Sequence, residues 1–426
     1  MYNGIAIEDF GKPVVLLANH GFVTDAHSAA SSKGMPGIRV VGTSVACEST
    51  VAAEIEAGVA AAMENIITAL TKPLTAEEKS PKKDSEKLPR IAYKGSLEEV
   101  NRFFYSKGWI DGLPVVPPTE KAVMEMMTGT DLPADHVVAK IIPRLGKATI
   151  EKIAVNAVMA GALPTHMPLL IAAVQALADP KSRFDTFEVS TGSWAPFFAV
   201  NGPVRRDIHI NCSSSALSPG DIANAAIGRA VGLIVKNIGG ARKGVEDMGV
   251  IGNPAKYSLV LGEYEEESPW EPLHVERGFK KEESTLTLFL PNSYIQTVAR
   301  ETNAKGIVET LASMGSGNMS CLVVIPSHAK ILASEGWTKK KVKQFISEHA
   351  ITPFPPIEGF QASQKPSIDT DDLMVLVAGG PGAWMGLLRS VGGFENSLVT
   401  KKIALPQDWD KLVAKYKDVV PNYEKY

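Results

Sequence analysis

Cysteine is scarce in this chain: three in 426 residues, Cys47, Cys212 and Cys321, far apart. So sparse and odd a set excludes a disulfide scaffold and fits a reducing compartment. A basic excess is missing as well, since the net charge is -3, and nucleic acid is not an expected partner. Long apolar runs are also absent. The longest, AVNAVMAGALPTHMPLLIAAVQALA, is broken by Pro164, His166 and Pro168. A spanning helix needs about 20 uninterrupted apolar residues, so the run reads as two buried helices and no membrane partner is expected. MYNGIAIEDF has neither a basic start nor an apolar core, so no secretory signal is read and a cytoplasmic location is expected. His209 and Cys212 have metal-like spacing but no second pair to complete a zinc site, so no metal is expected. IGGARKGVEDMGVIGNPAKYS is glycine-rich yet is neither a Walker loop nor a dinucleotide fingerprint, and no cofactor is expected in this chain.

What is present is a globular composition, 45% hydrophobic and 21% charged, long enough for two or three domains. Residues 1–72 read as strand, helix, strand, helix: KPVVLLA, a helix after NHGFVTD, GIRVVG, then VAAEIEAGVAAAMENIITAL ending before Pro73. Two strands rarely make a stable sheet alone, so this small parallel βαβ domain is expected to finish its sheet on the large domain or on another chain. Residues 73–95 are rich in Lys, Glu, Ser and Pro, as in a charged linker. Residues 96–426 read as a larger mixed α/β domain. Its strands are FFAVNG, YSLVLG, STLTLFL, SCLVVI and LMVLVAGG, with helical patterns near 119–128, 149–160, 221–237, 294–314 and 338–349. GLPVVPPTEKAVMEMM and CLVVIPSHAKILASEGW echo each other as strand, proline turn and helix.

Several stretches carry candidate chemistry. Cys47 sits close to a helix N-terminus, where a thiol pKa falls, and reads either as a thiolate nucleophile or as a small buried cysteine. Asp111 lies in the glycine-flanked turn of GWIDGLP, which presents a carboxylate to a cleft or closes an Asx-turn on its own backbone. Residues 188–229 hold the densest polar set, with Asn201, Arg205, Arg206, Asn211 and Ser213, Ser214 and Ser215 ahead of a helix start. Such a loop suits a carboxylate or phosphate, or serves only its own hydrogen bonds. Gly379, Gly380 and Gly382 follow a strand and offer a second anion loop. EYEEESPWEPLHVERGF, residues 263–279, packs six carboxylates around Pro269, Trp270 and Pro272. There Glu266 and His274 are the candidate acid/base pair and Trp270 a substrate-facing wall, while Glu265 and Glu267 read as solvated.

The chain resembles UGSC-type (seleno)proteins and their associated large-domain proteins. The resemblance rests on FGKPVVLLANHGFVTDAHSAASSKGMPGIRVV in the small domain. In the large domain it rests on GWIDGLPVVPPTE, EKIAVNAVMAG, NGPVRRDIHIN, GNPAKY and SPWEPLHVERGF. Such proteins carry a Sec/Cys-Gly-Ser-Cys motif on a loop just before the small-domain run, and this sequence departs from them in having no CGSC. The resemblance therefore implies a small partner subunit that supplies the missing strands and the reactive selenol or thiol. The arrangement is also distantly similar to the substrate-cleaving subunits of glycine and proline reductases. That similarity implies a selenolate attacking a carbon that bears a leaving group. Arg205 or Arg206 and the serine loop would hold a small anionic substrate, and Glu266 or His274 would protonate the leaving group. A redox-independent lyase or hydrolase with a Glu/His/Asp site in the large domain, and a non-catalytic binding subunit, are the competing expectations.

Overall fold

The computed structural model describes residues 2–46, 51–76, 89–314, 319–350, 369–391 and 397–419. The chain is α/β throughout. In the small domain β1 (Val15–Asn19) and β2 (Arg39–Thr43) pair in parallel and, among the described residues, form a sheet of only these two strands. The helices Val23–Ser32 and Ala52–Thr71 pack on them, and a short helix, Tyr2–Asp9, precedes them. Within Ala52–Thr71 only Gly58 and Ala62 are buried. Ile55, Met63, Ile67 and Leu70 stay exposed at helical spacing, an apolar stripe without cover. No described strand of the large domain joins β1 or β2.

The expected linker ends in contact with the large domain. Arg90 ion-pairs with Glu120 and Glu151, and the Tyr93 ring stacks on Phe103 with centroids 4.5 Å apart.

The large domain holds a hairpin, β3 (Val137–Ile141) with β4 (Gly146–Thr149), and two four-stranded sheets. The first sheet runs β12 (Val399–Lys402), β7 (Thr285–Phe289), β5 (Phe197–Asn201), β6 (Val260–Gly262). The second runs β10 (Leu373–Val377), β9 (Met319–Val324), β11 (Trp384–Ser390), β8 (Ser293–Val298). Each sheet has one parallel pair, β5 with β6 and β9 with β10, followed by two antiparallel neighbours. Each sheet also borrows its last strand: β8 follows β7 in sequence but joins the second sheet, and β12 follows β11 but joins the first. The matching halves are therefore β5–β6–β7 and β9–β10–β11. GLPVVPP, half of the expected echo, forms no strand, and the expected repeat is replaced by this one.

Alternation along the strands builds four layers. Phe197, Ala199, Leu261 and Phe289 of the first sheet meet Cys321, Met374, Leu376 and Leu388 of the second in a shared inner core. The outer face of the first sheet is covered by the apolar helices Ile150–Ala160, Met167–Ala178 and Ile222–Ile234. Ala304–Met314, Pro326–Ser334 and Lys339–His349 cover the second.

The five expected strands appear as β5, β6, β7, β9 and β10. The expected helix over 294–314 splits. SYIQTV becomes edge strand β8, with burial alternating at period 2, and the helix begins only at Ala304, where the Asn303 side chain accepts from the Gly306 amide. β11 and β12 were not expected. WMGLLRS was read as the tail of a glycine loop, yet it lies between β9 and β8.

Gly202 closes β5 with φ +84°, and a Cβ there would stand 2.3 Å from the Glu283 carbonyl oxygen. Gly202→Ala is therefore expected to cost at least about 2 kcal/mol, read as a lowered urea midpoint.

Candidate active site

The residues singled out in the sequence separate into three places. The first is an ion-paired knot at the carboxyl ends of β5 and β6. Glu263 is fully buried. One of its carboxylate oxygens accepts from Asn201 Nδ2 at 2.6 Å and from the Leu273 amide at 2.7 Å, and the other from Lys339 Nζ at 3.0 Å. Arg205, also buried, donates to Glu265 at 3.1 Å and to Glu266 at 3.0 Å. Glu265 further accepts from the Gly202 amide at 2.7 Å, so its reading as a solvated residue is corrected: it closes the turn after β5. Glu267 pairs with Lys330 at the surface. Burial opposes ionisation of Glu266, but the Arg205 hydrogen bond overcomes it and holds the carboxyl below its ordinary range. Arg206 is largely exposed, 3.8 Å from Glu266.

His274 is fully buried on a short turn of helix, with Nε2 3.3 Å from the Lys281 carbonyl. The Trp270 indole N–H donates to the Trp337 carbonyl at 2.9 Å, and its ring packs on the second core. Glu266 is exposed and paired with Arg205, whereas His274 is buried against the Lys281 carbonyl, so each has surroundings of its own.

The second place is a crevice where Ser213 and Ser215 meet Gly379, Gly380 and Gly382. A Cβ on Gly380 would lie 1.8 Å from Ser214 Oγ, so these loops touch although 165 residues separate them. Asn211 and Asn224 hold the serine loop in shape. Asn224 Nδ2 donates to the carbonyls of Asn211 at 3.1 Å and Val260 at 3.0 Å, and Asn211 Nδ2 donates to Asp221 at 2.8 Å. Cys47 lies outside the described residues.

The third place is a cavity of about 430 Å³ beside the first residues of β5 and β6, and Asp111 opens onto it. Both readings of Asp111 hold together: its Oδ1 accepts from the Leu113 amide at 3.2 Å in an Asx-turn, and its carboxylate takes a two-point contact from Arg229 at 2.8 and 3.0 Å. On the same wall stand residues that sequence reasoning did not single out. Gly228 and Gly232 lie four apart on one face of the helix Ile222–Ile234. A Cβ on either would stand 2.7 Å from Ser258 Cα or 2.9 Å from the Lys256 carbonyl. The bare face lets the segment 256–258 lie against the helix and sends Lys256 into the cavity. Lys256 Nζ is 2.8 Å from Asp247 Oδ2 and 3.7 Å from Glu188 Oε1. Glu188 is only 4% exposed. Burial pushes its carboxyl up to about 7, with Lys256 opposing and Asp247 assisting. Ile110, Phe198, Val231 and Leu259 supply apolar walls.

A carboxyl near neutrality beside an ammonium, in a partly apolar cavity, has the chemistry that general acid/base transfer requires, with a cation to hold a developing negative charge. The sequence carried only faint signs of it: Lys256 inside GNPAKY, Asp247 in a glycine-rich stretch, and Glu188 at the head of the polar segment.

The small domain docks next to this cavity. Ser28 Oγ donates to Glu246 Oε1 at 2.7 Å, and Arg144 and Arg242 reach the same oxygen at 2.8 and 2.6 Å. Burial works against ionisation of Glu246, yet the Arg242 and Ser28 hydrogen bonds bring its pKa down to about 2. Glu246 precedes Asp247, so the joint and the cavity share one turn.

That joint is made by the segment with a known counterpart. Residues 1–72 match the UGSC family. The UGSC match ends where the charged linker begins, and the five large-domain motifs lie beyond it. No curated protein and no solved structure matches the chain. Among the described residues no helix is long and apolar enough to cross a membrane.

Proposed function

We propose that this chain is the substrate-holding, proton-transferring subunit of a heteromeric enzyme that reductively cleaves a small anionic molecule. The observation that carries the reading is the Glu188–Lys256–Asp247 cavity beside the docked UGSC segment. Lys236 and Lys243 on the same walls attract the anion, since Lys256 and Arg229 are already engaged by Asp247 and Asp111. A partner subunit that extends the open β1–β2 sheet supplies a selenolate or thiolate. That group attacks the substrate carbon, a Se–C or S–C bond forms, the bond to the leaving group breaks, and Glu188 gives the leaving group its proton. A second thiol of the partner then attacks the selenium or sulfur. The carbon leaves with the bonding pair and takes a proton, and the selenol–thiol or dithiol pair is left oxidised. Glu188 and Lys256 replace Glu266, His274 and Arg205 in these roles, because the knot around Arg205 is already saturated by its own carboxylates.

The second reading is a redox-independent lyase or hydrolase using the same cavity, and it is favoured by one fact: all three polar groups belong to this chain. Purification at native abundance separates the two. A co-purifying small polypeptide with a Sec or Cys, and activity abolished by thiol alkylation, are expected. A lone chain whose turnover survives alkylation would overturn the partner-dependent reading and leave the second.

A further inference from the structure

The acid/base cavity leaves unused the crevice at the opposite, carboxyl ends of the parallel pairs. There the two sheets are stitched edge to edge: the Tyr264 amide donates to the Val377 carbonyl at 2.7 Å, and the Gly379 amide to the Cys212 carbonyl at 2.9 Å. The loops after β5 and β10 thus meet, at the edge of an α/β sheet where ligands bind. They enclose a cavity of about 300 Å³. Its floor is the inner face of β8 and β11 beyond the reach of the first sheet. Gly386 leaves that floor bare, and a Cβ there would lie 3.4 Å from the Tyr294 ring. Tyr294 and Trp384 line the same cavity and remain 47% and 58% exposed. Among the described residues, the remaining polar groups are Gln296 and the hydroxyls of Ser213, Ser215 and Ser218, and no charged side chain lines the cavity.

Open aromatic rings offer stacking to a planar ligand, and hydroxyls and an amide offer neutral hydrogen bonds. A lining without a cation does not suit the anion expected from the glycine loop. We propose that this crevice is a second binding site, for an uncharged planar heterocycle that carries hydroxyl groups, of the nucleoside or flavin type. The ring lies against Tyr294, Trp384 and the bare backbone of Gly386, and the hydroxylated part reaches the serine loop. The inference stands independently of the role given to Glu188.

Equilibrium dialysis of the full chain with adenosine and with riboflavin tests it. Saturable one-to-one binding of at least one probe is expected. Trp384→Ala and Tyr294→Ala, both at half-exposed positions, should each weaken it at least about tenfold at unchanged Tm, and Glu188→Gln should leave it as in wild type. The phosphorylated counterpart, AMP or FMN, should bind no tighter than its parent. Three outcomes overturn the proposal: no saturation by about 1 mM with either probe, wild-type affinity in both aromatic variants, or a phosphorylated probe that binds tenfold tighter.

Discussion

Glu188→Gln is expected to make the protein more stable at pH 8 while removing at least about 100-fold of turnover from the assembled enzyme. The carboxyl is buried and its pKa is raised from 4.5 to about 7. The folded chain therefore holds this proton more tightly than the unfolded chain does. The associated stability is complete below pH 4.5 and is lost as pH rises through 7, where the ionised, desolvated carboxylate becomes a burden. A displacement of that size corresponds to about 3 kcal/mol, part of which is offset because glutamine no longer faces the Lys256 ammonium. Glutamine does not titrate, so the variant gains on wild type between pH 5 and pH 8. Urea midpoints at both pH values measure it. A pH-independent difference, or turnover that survives the substitution, would remove Glu188 from the mechanism. Gain of stability with loss of activity marks a group held in an unfavourable state for function.

Lys339→Met should act in the opposite direction, with a loss of about 3–5 kcal/mol at neutral pH. Lys339 and Glu263 are both buried and lie 3.0 Å apart, so the methionine leaves a buried carboxylate without its cation. Glu263→Gln removes the charge yet keeps one carbonyl oxygen, and Asn201 Nδ2 and the Leu273 amide both donate to a single oxygen. The double variant Lys339→Met/Glu263→Gln is therefore expected to recover at least half of the loss. Unfolding free energies from a double-mutant cycle check this, and additive single effects would show that the pair carries no coupling. The Lys339 and Glu188 substitutions thus test a stabilising role for the knot around Glu263 and Arg205 against the catalytic role proposed for Glu188 and Lys256.

EYEEESPWEPLHVERGF shows how far local pattern reaches. Of its six carboxylates Glu263 is buried, Glu265 and Glu267 are partly exposed, and Glu266, Glu271 and Glu276 are exposed. Pattern does not tell which cation meets which carboxylate. Lys339 arrives from a helix 76 residues beyond Glu263, and Arg205 arrives from the short helix Val204–Asp207 after β5, so neither pairing has a sequence-local sign. Glu265 is the clearest case. It sits in a glutamate run, the commonest appearance of a solvated face, and is only partly exposed because the Gly202 amide and Arg205 both point at it.

Strands with an apolar period and helices with caps were legible because their signals lie within a few residues. The α/β class, the five central strands, the open two-stranded UGSC sheet and the contact-ready serine and glycine loops all follow from that local chemistry. The exchange of β8 and β12 between the sheets was not legible, since both are edge strands whose alternation is short and whose partners are chosen by packing. The acid/base cavity depended on tertiary structure most of all. Glu188, Asp247 and Lys256 are ordinary surface-type residues in sequence. Glu188 is raised to about 7 because the apolar walls exclude water from its carboxyl, and Lys256 meets it because Gly228 and Gly232 let the 256–258 segment lie on the helix.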